Sequence, residues 1–382
     1  MLAPQTPGEL AEALGVAAAQ GRTISVSGHC SKRLMAGPVE PADCQVTTAA
    51  LKRVIEYEPH DLTISVEAGL SWRELVRTAA AHGQMAPLDP PFGAQATVGG
   101  VVAANSSGPR RRLYGTARDM VIGMRFATLE GKLAQSGGMV VKNVSGLDMA
   151  KLMIGSFGTL AAIAVVNLRL TPAPEVERSF LLAFRSAAEA IAARNELLGG
   201  ALQPAAVDLL NPLAGAGLGM DSWLLAVRAG GTAAVMDRYE RELARLADWM
   251  LFEGGRQDDL WNRVENFTPW FLERNPDGAV VRASVVLKGV EEVMASFDGP
   301  ALARAGTGVC YGYFERTEDA AGWLAVGSRR GWKAVMEFAP EERKRALDLW
   351  PGPGPDLELM RRVKGLFDPA NLLNRGRLYG RI

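Results

Sequence analysis

Ala96-Thr97-Val98-Gly99-Gly100-Val101-Val102-Ala103-Ala104-Asn105-Ser106-Ser107-Gly108 is the stretch on which the reading of this chain turns. Its small side chains let a flat ligand lie against the backbone, while Thr97, Asn105 and Ser107 supply polar handles. The same residues also suit a tightly packed helix N-terminus beside a turn, and taken alone they leave both readings open. A second loop stands upstream. Ser27-Gly28-His29-Cys30-Ser31-Lys32-Arg33 directly follows Thr23-Ile24-Ser25-Val26-Ser27, which alternates as a strand does. Successive backbone N–H groups in such a loop can converge on a pyrophosphate, with Ser31 adding a hydroxyl. Glycine turns after strands are common, however, and most bind nothing.

Around these loops the chain reads as mixed α and β. Thr6-Pro7-Gly8-Glu9 is a capping box with proline at the first helical position, and Leu10, Ala13, Leu14 and Ala17 follow at helical spacing. Ser71-Trp72-Arg73-Glu74 is a second capping box, after the alternating Thr63–Ala68 strand. Strands are expected at Val121–Thr128 and Leu160–Leu170, and a linker at Thr171-Pro172-Ala173-Pro174. Beyond it, strands at Phe180–Phe184, Trp223–Val227 and Val280–Leu287 alternate with helices at Ala187–Leu198, Ala233–Trp249 and Val290–Ser296. After Gly352-Pro353-Gly354-Pro355, a last helix is expected to bury Leu357, Met360, Val363 and Leu366.

Composition removes several classes. The 382 residues carry 42 basic and 42 acidic side chains, so nothing favours a general nucleic-acid binder. No apolar run reaches the roughly 20 residues of a bilayer span, and the first residues carry no secretory signal pattern. Cys30, Cys44 and Cys310 form no CxxC pair, which fits a reducing, cytoplasmic compartment and speaks against an iron–sulfur cluster held by this chain. No metal site is expected. A P-loop and a G-x-S-x-G elbow are both missing. Gly306-Thr307-Gly308-Val309-Cys310-Tyr311-Gly312 reads as a turn entering a strand. The three histidines, His29, His60 and His82, all precede residue 83, so the second half has no histidine base or ligand.

Order and detail add a resemblance. Pro87-Leu88-Asp89-Pro90, the Ala96–Gly108 loop with Pro109-Arg110-Arg111, Tyr114-Gly115, Arg118-Asp119, Lys142-Asn143-Val144-Ser145-Gly146 and Lys151–Leu160 run in sequence, and the chain closes with Phe367-Asp368-Pro369 and Leu373–Leu378. This string resembles the FAD-binding domain of the vanillyl-alcohol-oxidase/PCMH superfamily and, within it, the E subunits of bacterial glycolate oxidases. The resemblance implies an α+β protein. A PCMH-type FAD-binding domain at 1–172 would comprise two α/β subdomains at about 1–85 and 86–172. An α+β cap would follow at 175–350, and a C-terminal segment at 355–382 would return to the FAD domain.

It also implies noncovalent FAD. Gly28, His29, Cys30, Ser31 and Lys32 would wrap the pyrophosphate. Pro87, Thr97, Val98, Gly99, Gly100, Asn105 and Gly108 would line the other side of the dinucleotide, and Gly146 a flavin-side turn. Ile163 would meet the adenine, and Asn374 and Arg377 would approach the isoalloxazine. Three positions depart from the family pattern: His29 and Ala161 stand where glycine is usual, and Arg375 replaces a proline.

The implied function is that of a FAD subunit in a heteromeric glycolate dehydrogenase, beside a catalytic FAD subunit and an iron–sulfur subunit. It would be cytoplasmic, free or held at the inner membrane face through those partners, and would act on a small 2-hydroxy acid. Two other classes stay open: a non-catalytic interaction subunit with a degenerate flavin site, and a self-sufficient FAD oxidoreductase on another substrate. No catalytic residue is assigned. In the histidine-free cap, Arg256, Arg274 and Arg282 are the candidates for binding a carboxylate, and Tyr311, Tyr313 and Glu315 for moving protons, although each taken singly suits a surface or packing role better.

Overall fold

Thr6 caps the first helix as its sequence dictates: its hydroxyl accepts from Glu9 N–H at 3.2 Å, and the Glu9 carboxylate accepts from Gln5 N–H at 2.8 Å. The helix, Pro7–Ala19, buries Leu10, Ala11, Leu14 and Ala17. In the computed structural model, which describes residues 1–139 and 148–382, the chain divides into two units. One comprises Met1–Ser107, Thr116–Ala173 and Lys344–Ile382; the other comprises Gly108–Gly115 and Pro174–Arg343.

In the first unit, Ile24–Ser27 and Cys44–Thr47 pair in parallel. A five-stranded antiparallel sheet runs in the order Val54–Glu58, Thr63–Glu67, Ala162–Arg169, Val121–Ala127, Leu133–Gly137. Leu10, Leu14, Ile24, Val46, Ala164 and Leu373 meet in one core. The last of these belongs to the closing segment, which lies along the first strand: Ile24 N–H donates to Leu372 O at 2.8 Å, and Asn374 N–H donates to Ile24 O at 2.9 Å.

Two expectations in this unit need correction. Thr171–Pro172 is a two-residue strand paired with Gln84–Met85, because an edge position spares proline the missing N–H. In the helix Asp356–Phe367, Leu366 is 83% exposed while Lys364 is buried. The Lys364 ammonium donates to the carbonyls of Thr159 and Leu373 at 2.8 and 2.9 Å and to Asp368 Oδ2 at 2.5 Å, so three acceptors tie this helix down beside buried Leu357 and half-buried Met360 and Val363.

The second unit is built on an eight-stranded antiparallel sheet. Its order is Trp249–Phe252, Val176–Phe184, Trp223–Gly231, Ala206–Leu210, Ala301–Arg304, Val309–Phe314, Ala279–Ser284, Lys333–Phe338. The helix predicted to run to Trp249 ends at Leu243, and Trp249 opens an edge strand instead. Val280–Leu287 likewise ends as a strand at Ser284. Gly306–Gly308 lies in a turn between two paired strands, with Gly308 at a left-handed φ of 76°, and Val309–Gly312 belongs to the second of them. Trp261 is core, its indole N–H donating to Ser179 Oγ at 2.8 Å, and Trp323 stacks on Phe297 with ring centroids 4.7 Å apart.

Candidate functional site

The two loops singled out in the sequence touch. A Cβ at Gly28 would lie 2.4 Å from Thr97 Oγ1, so only glycine lets the first loop pass so close to the second. Thr97 is held there because it caps the Val98–Ala103 helix, its Oγ1 accepting from Gly100 N–H at 3.2 Å. Gly99 is pinned from the other side: its N–H donates to Ala68 O at 2.7 Å, and a Cβ would meet Ala68 Cβ at 2.7 Å.

Between the loops lies a cavity of about 380 Å³, all of whose lining residues belong to the first unit. Gly28, His29, Cys30, Ser31, Lys32, Thr97, Gly99, Gly100, Ile163, Asn374 and Arg377 line it, together with Phe157, Gly158 and Ala161. His29 is exposed at the rim and does not fill it. Four expected contacts are not among the lining residues. Val98 is fully buried in the core, Pro87 is buried, Asn105 Oδ1 is buried without a hydrogen bond among the described residues, and Gly108 belongs to the second unit. Gly146 lies outside the described residues.

The cavity wall is stiffened by Asn374, whose φ is 43°. Its Oδ1 accepts from Val26 N–H at 2.8 Å, and its Nδ2 donates to Phe157 O at 2.9 Å. Gly158 follows, where a Cβ would lie 2.7 Å from Asn374 Nδ2. Arg377 donates to Gly37 O, and Arg375 Nη2 donates to Pro41 O at 3.1 Å, so the residue standing in place of proline holds a neighbouring loop.

Lys32 gives the cavity its electrostatic character. Its Nζ is buried and makes no hydrogen bond among the described residues. Burial alone pulls its ammonium down to about 7, since a charge removed from water with nothing to compensate it is unstable. A buried ammonium without an acceptor, on a glycine-containing loop that follows a strand, is complementary to phosphate oxygens. The residues present therefore fit a dinucleotide pyrophosphate.

The second unit carries a different cluster. Arg282 stands opposite Tyr311 across paired strands, and its Nε lies 3.0 Å from Glu337 Oε1. Glu337 falls where the register of Lys333–Phe338 shifts between the partners of Val280 and Val281. Arg304 forms a buried ion pair with Asp208, and its guanidinium carbon is 5.7 Å from the Tyr311 ring centroid. Arg111 joins them: burial holds its guanidinium below the ordinary value, while Tyr311 and Glu337 favour its charge and Arg282 and Arg304 oppose it. Burial pushes the Glu337 carboxyl up, against the pull of the arginines. Three guanidinium groups thus face two carboxylates.

Of the cap residues weighed from sequence, Arg282 and Tyr311 belong to this cluster, and Tyr313 is buried with its hydroxyl 3.0 Å from Thr268 Oγ1. Arg256 and Arg274 are exposed and bonded to the carbonyls of Leu251 and Trp270, and Glu315 is exposed. Sequence reading missed Arg111, Asp208, Arg304 and Glu337. The last three are charges inside apolar strands, such as Leu302-Ala303-Arg304-Ala305, and a charge in such a run needs a partner.

Residues 1–146 match the family described as FAD binding domain, and residues 353–378 match the C-terminal domain of FAD linked oxidases. The glycolate oxidase subunit GlcE of Escherichia coli (strain K12) is 33% identical over 171 residues, 44% of this chain and 48% of that protein. A D-2-hydroxyglutarate dehydrogenase of Xanthomonas citri pv. viticola is 30% identical over 188 residues, 48% of this chain and 40% of its own length. The chain thus spans about half the length of these curated relatives or less. The crystal structure of p-cresol methylhydroxylase superposes with a TM-score of 0.75 at 16% identity, covering 99% of this chain and 88% of the other. The fold is that of the PCMH-type FAD oxidases.

Proposed function

For a chain that carries the FAD binding domain and the C-terminal segment of the FAD-linked oxidases, we propose the role of FAD subunit in a 2-hydroxy acid dehydrogenase, with glycolate as the first substrate to test. It works in a complex with a catalytic FAD subunit and an iron–sulfur subunit, in the cytoplasm or at the inner membrane face through those partners. No helix among the described residues is long and apolar enough to cross a membrane. The observation that carries the reading is the cavity lined by the Gly28 and Thr97 loops, with Lys32 Nζ buried in its wall and without a hydrogen bond among the described residues.

In this reading Lys32 and the backbone N–H groups near Gly28 and Ser31 hold the pyrophosphate, and the Gly158–Ile163 stretch takes the rest of the dinucleotide. FAD, when bound, supplies a two-electron acceptor for the substrate's hydride. Asn374 keeps the first strand and the Phe157 turn apart at a fixed distance, so the cavity stays open without the cofactor's help. The cluster around Arg111, Arg282 and Arg304 has the excess positive charge that a substrate carboxylate balances. Glu337, its carboxyl raised by burial, is the group there suited to take a hydroxyl proton.

The test is to express the chain with its neighbouring subunits, purify the complex, and follow glycolate-dependent reduction of an artificial acceptor together with the flavin content of each subunit. Flavin on this chain and its reduction by glycolate support the reading. One observation favours a second reading: no histidine follows His82, so the common imidazole base is missing from the second unit. A colourless chain that the complex nevertheless needs for assembly identifies an interaction subunit.

A further inference from the structure

The cavity wall holds several titratable groups, and all but one are spoken for or open to water. His29, Cys30 and Arg33 are exposed. Glu40 is paired with Arg345, whose Nε and Nη2 lie 3.2 and 3.1 Å from its oxygens. Arg377 donates to Gly37 O. The neighbouring Lys344 ammonium donates to Arg33 O at 3.2 Å and Gly37 O at 3.3 Å, so its charge is spent on the backbone of the same loop. Lys32 Nζ is the exception, buried with no acceptor among the described residues.

A buried amine in that position is more stable neutral, because no carboxylate or carbonyl replaces the water it has lost. A flavin dinucleotide brings two phosphate charges into the same space. For a nitrogen withdrawn from water as Lys32 Nζ is, an ammonium at hydrogen-bond distance from phosphate is strongly favoured over an amine. The amine and the ligand therefore require different protonation states.

We propose that binding of FAD to this chain takes up one proton from solvent, and that Lys32 Nζ receives it. The inference rests on reading the cavity as the FAD site. The balance is simple: the lysine amine and a solvent proton give the ammonium that faces the pyrophosphate, with no redox change. Free of ligand, Lys32 titrates at about 7, so affinity for FAD falls about tenfold from pH 6 to pH 8 and about tenfold again by pH 9. The flavin-free chain is in effect a cofactor trap that tightens as the solution becomes more acidic.

The experiment uses the full chain, stripped of flavin and titrated calorimetrically with FAD at pH 6 and pH 8 in two buffers of different ionisation enthalpy. At pH 8 the buffer dependence gives close to one proton taken up per FAD, and at pH 6 close to none. Lys32→Met binds FAD more weakly, with no uptake at either pH. Lys32→Arg, permanently charged, binds with no uptake and no pH dependence, and serves should the methionine variant fail to fold. His29→Gln, whatever it does to affinity, keeps the uptake. Binding by the unaltered chain without uptake at pH 8, or uptake that survives in Lys32→Met or Lys32→Arg, overturns the inference while leaving the FAD site intact. No binding at either pH overturns both.

Discussion

Gly28 and Thr97 are in contact across the cavity, with room for a hydrogen but not a carbon: a Cβ on Gly28 would sit 2.4 Å from Thr97 Oγ1. The threonine cannot give way without releasing its cap on Gly100 N–H. Gly28→Ala is therefore expected to displace the loop, at a cost of about 1–3 kcal/mol. The ratio of flavin to protein absorbance after purification should fall at least severalfold. An unchanged ratio and an unchanged melting temperature would show that the loops do not need this contact.

Asn374 joins segments 348 residues apart by accepting from Val26 N–H and donating to Phe157 O. Asn374→Ala strands a donor and an acceptor, and is expected to cost roughly 1–3 kcal/mol. Denaturant titration measures the loss. Asn374→Asp, which keeps one acceptor, should recover part of the stability but not the bond to Phe157.

Asp208 and Arg304 form an ion pair inside the second sheet, with 0% and 7% of their side chains exposed. Asp208→Ala leaves a buried guanidinium without its partner and should cost about 3–5 kcal/mol, against much less for the double change Asp208→Leu/Arg304→Met. A double-mutant cycle by chemical denaturation reads the coupling directly. Equal losses in the single and double variants would mean that the pair contributes only packing.

Lys32 also makes a prediction for stability. Its folded pKa of about 7 lies below the ordinary lysine value of 10.5, so between the two the unfolded chain binds the proton and the folded chain does not. Stability of the flavin-free protein must rise with pH across that window, and the penalty is present in full below it. Lys32→Met is expected to raise the melting temperature more at pH 6.5 than at pH 9.5. Equal shifts at both would place the amine in water.

Arg111 reaches the cap cluster from the Gly108–Gly115 segment, its guanidinium held below the ordinary value by burial beside Tyr311, Arg282, Arg304 and Glu337. In the assembled complex, Arg111→Met is expected to raise KM for a 2-hydroxy acid about tenfold or more, with kcat less affected, as loss of a carboxylate contact does. A fall in kcat alone would assign the arginine to something other than holding substrate.

What the sequence determined by itself was local. N-caps at Thr6 and Ser71, alternating strands and two glycine-rich loops are properties of neighbouring residues, and neighbours decide propensity, capping and periodicity; the reciprocal bonds of the expected capping boxes do not form, since Glu9 turns to Gln5 N–H and Glu74 to Arg77. The histidine count alone likewise removed an imidazole base from the second half. The helix drawn through to Trp249 and the apolar face drawn through Leu366 went wrong where a distant partner outweighed the local pattern, an edge strand in one case and the acceptors of Lys364 in the other. Only the tertiary structure placed Arg111, Arg304 and Glu337 around Tyr311 and paired Asp208 with Arg304, and only it buried the amine of Lys32. Burial and charge compensation depend on groups brought together from far along the chain, and that information is absent from any short window of sequence.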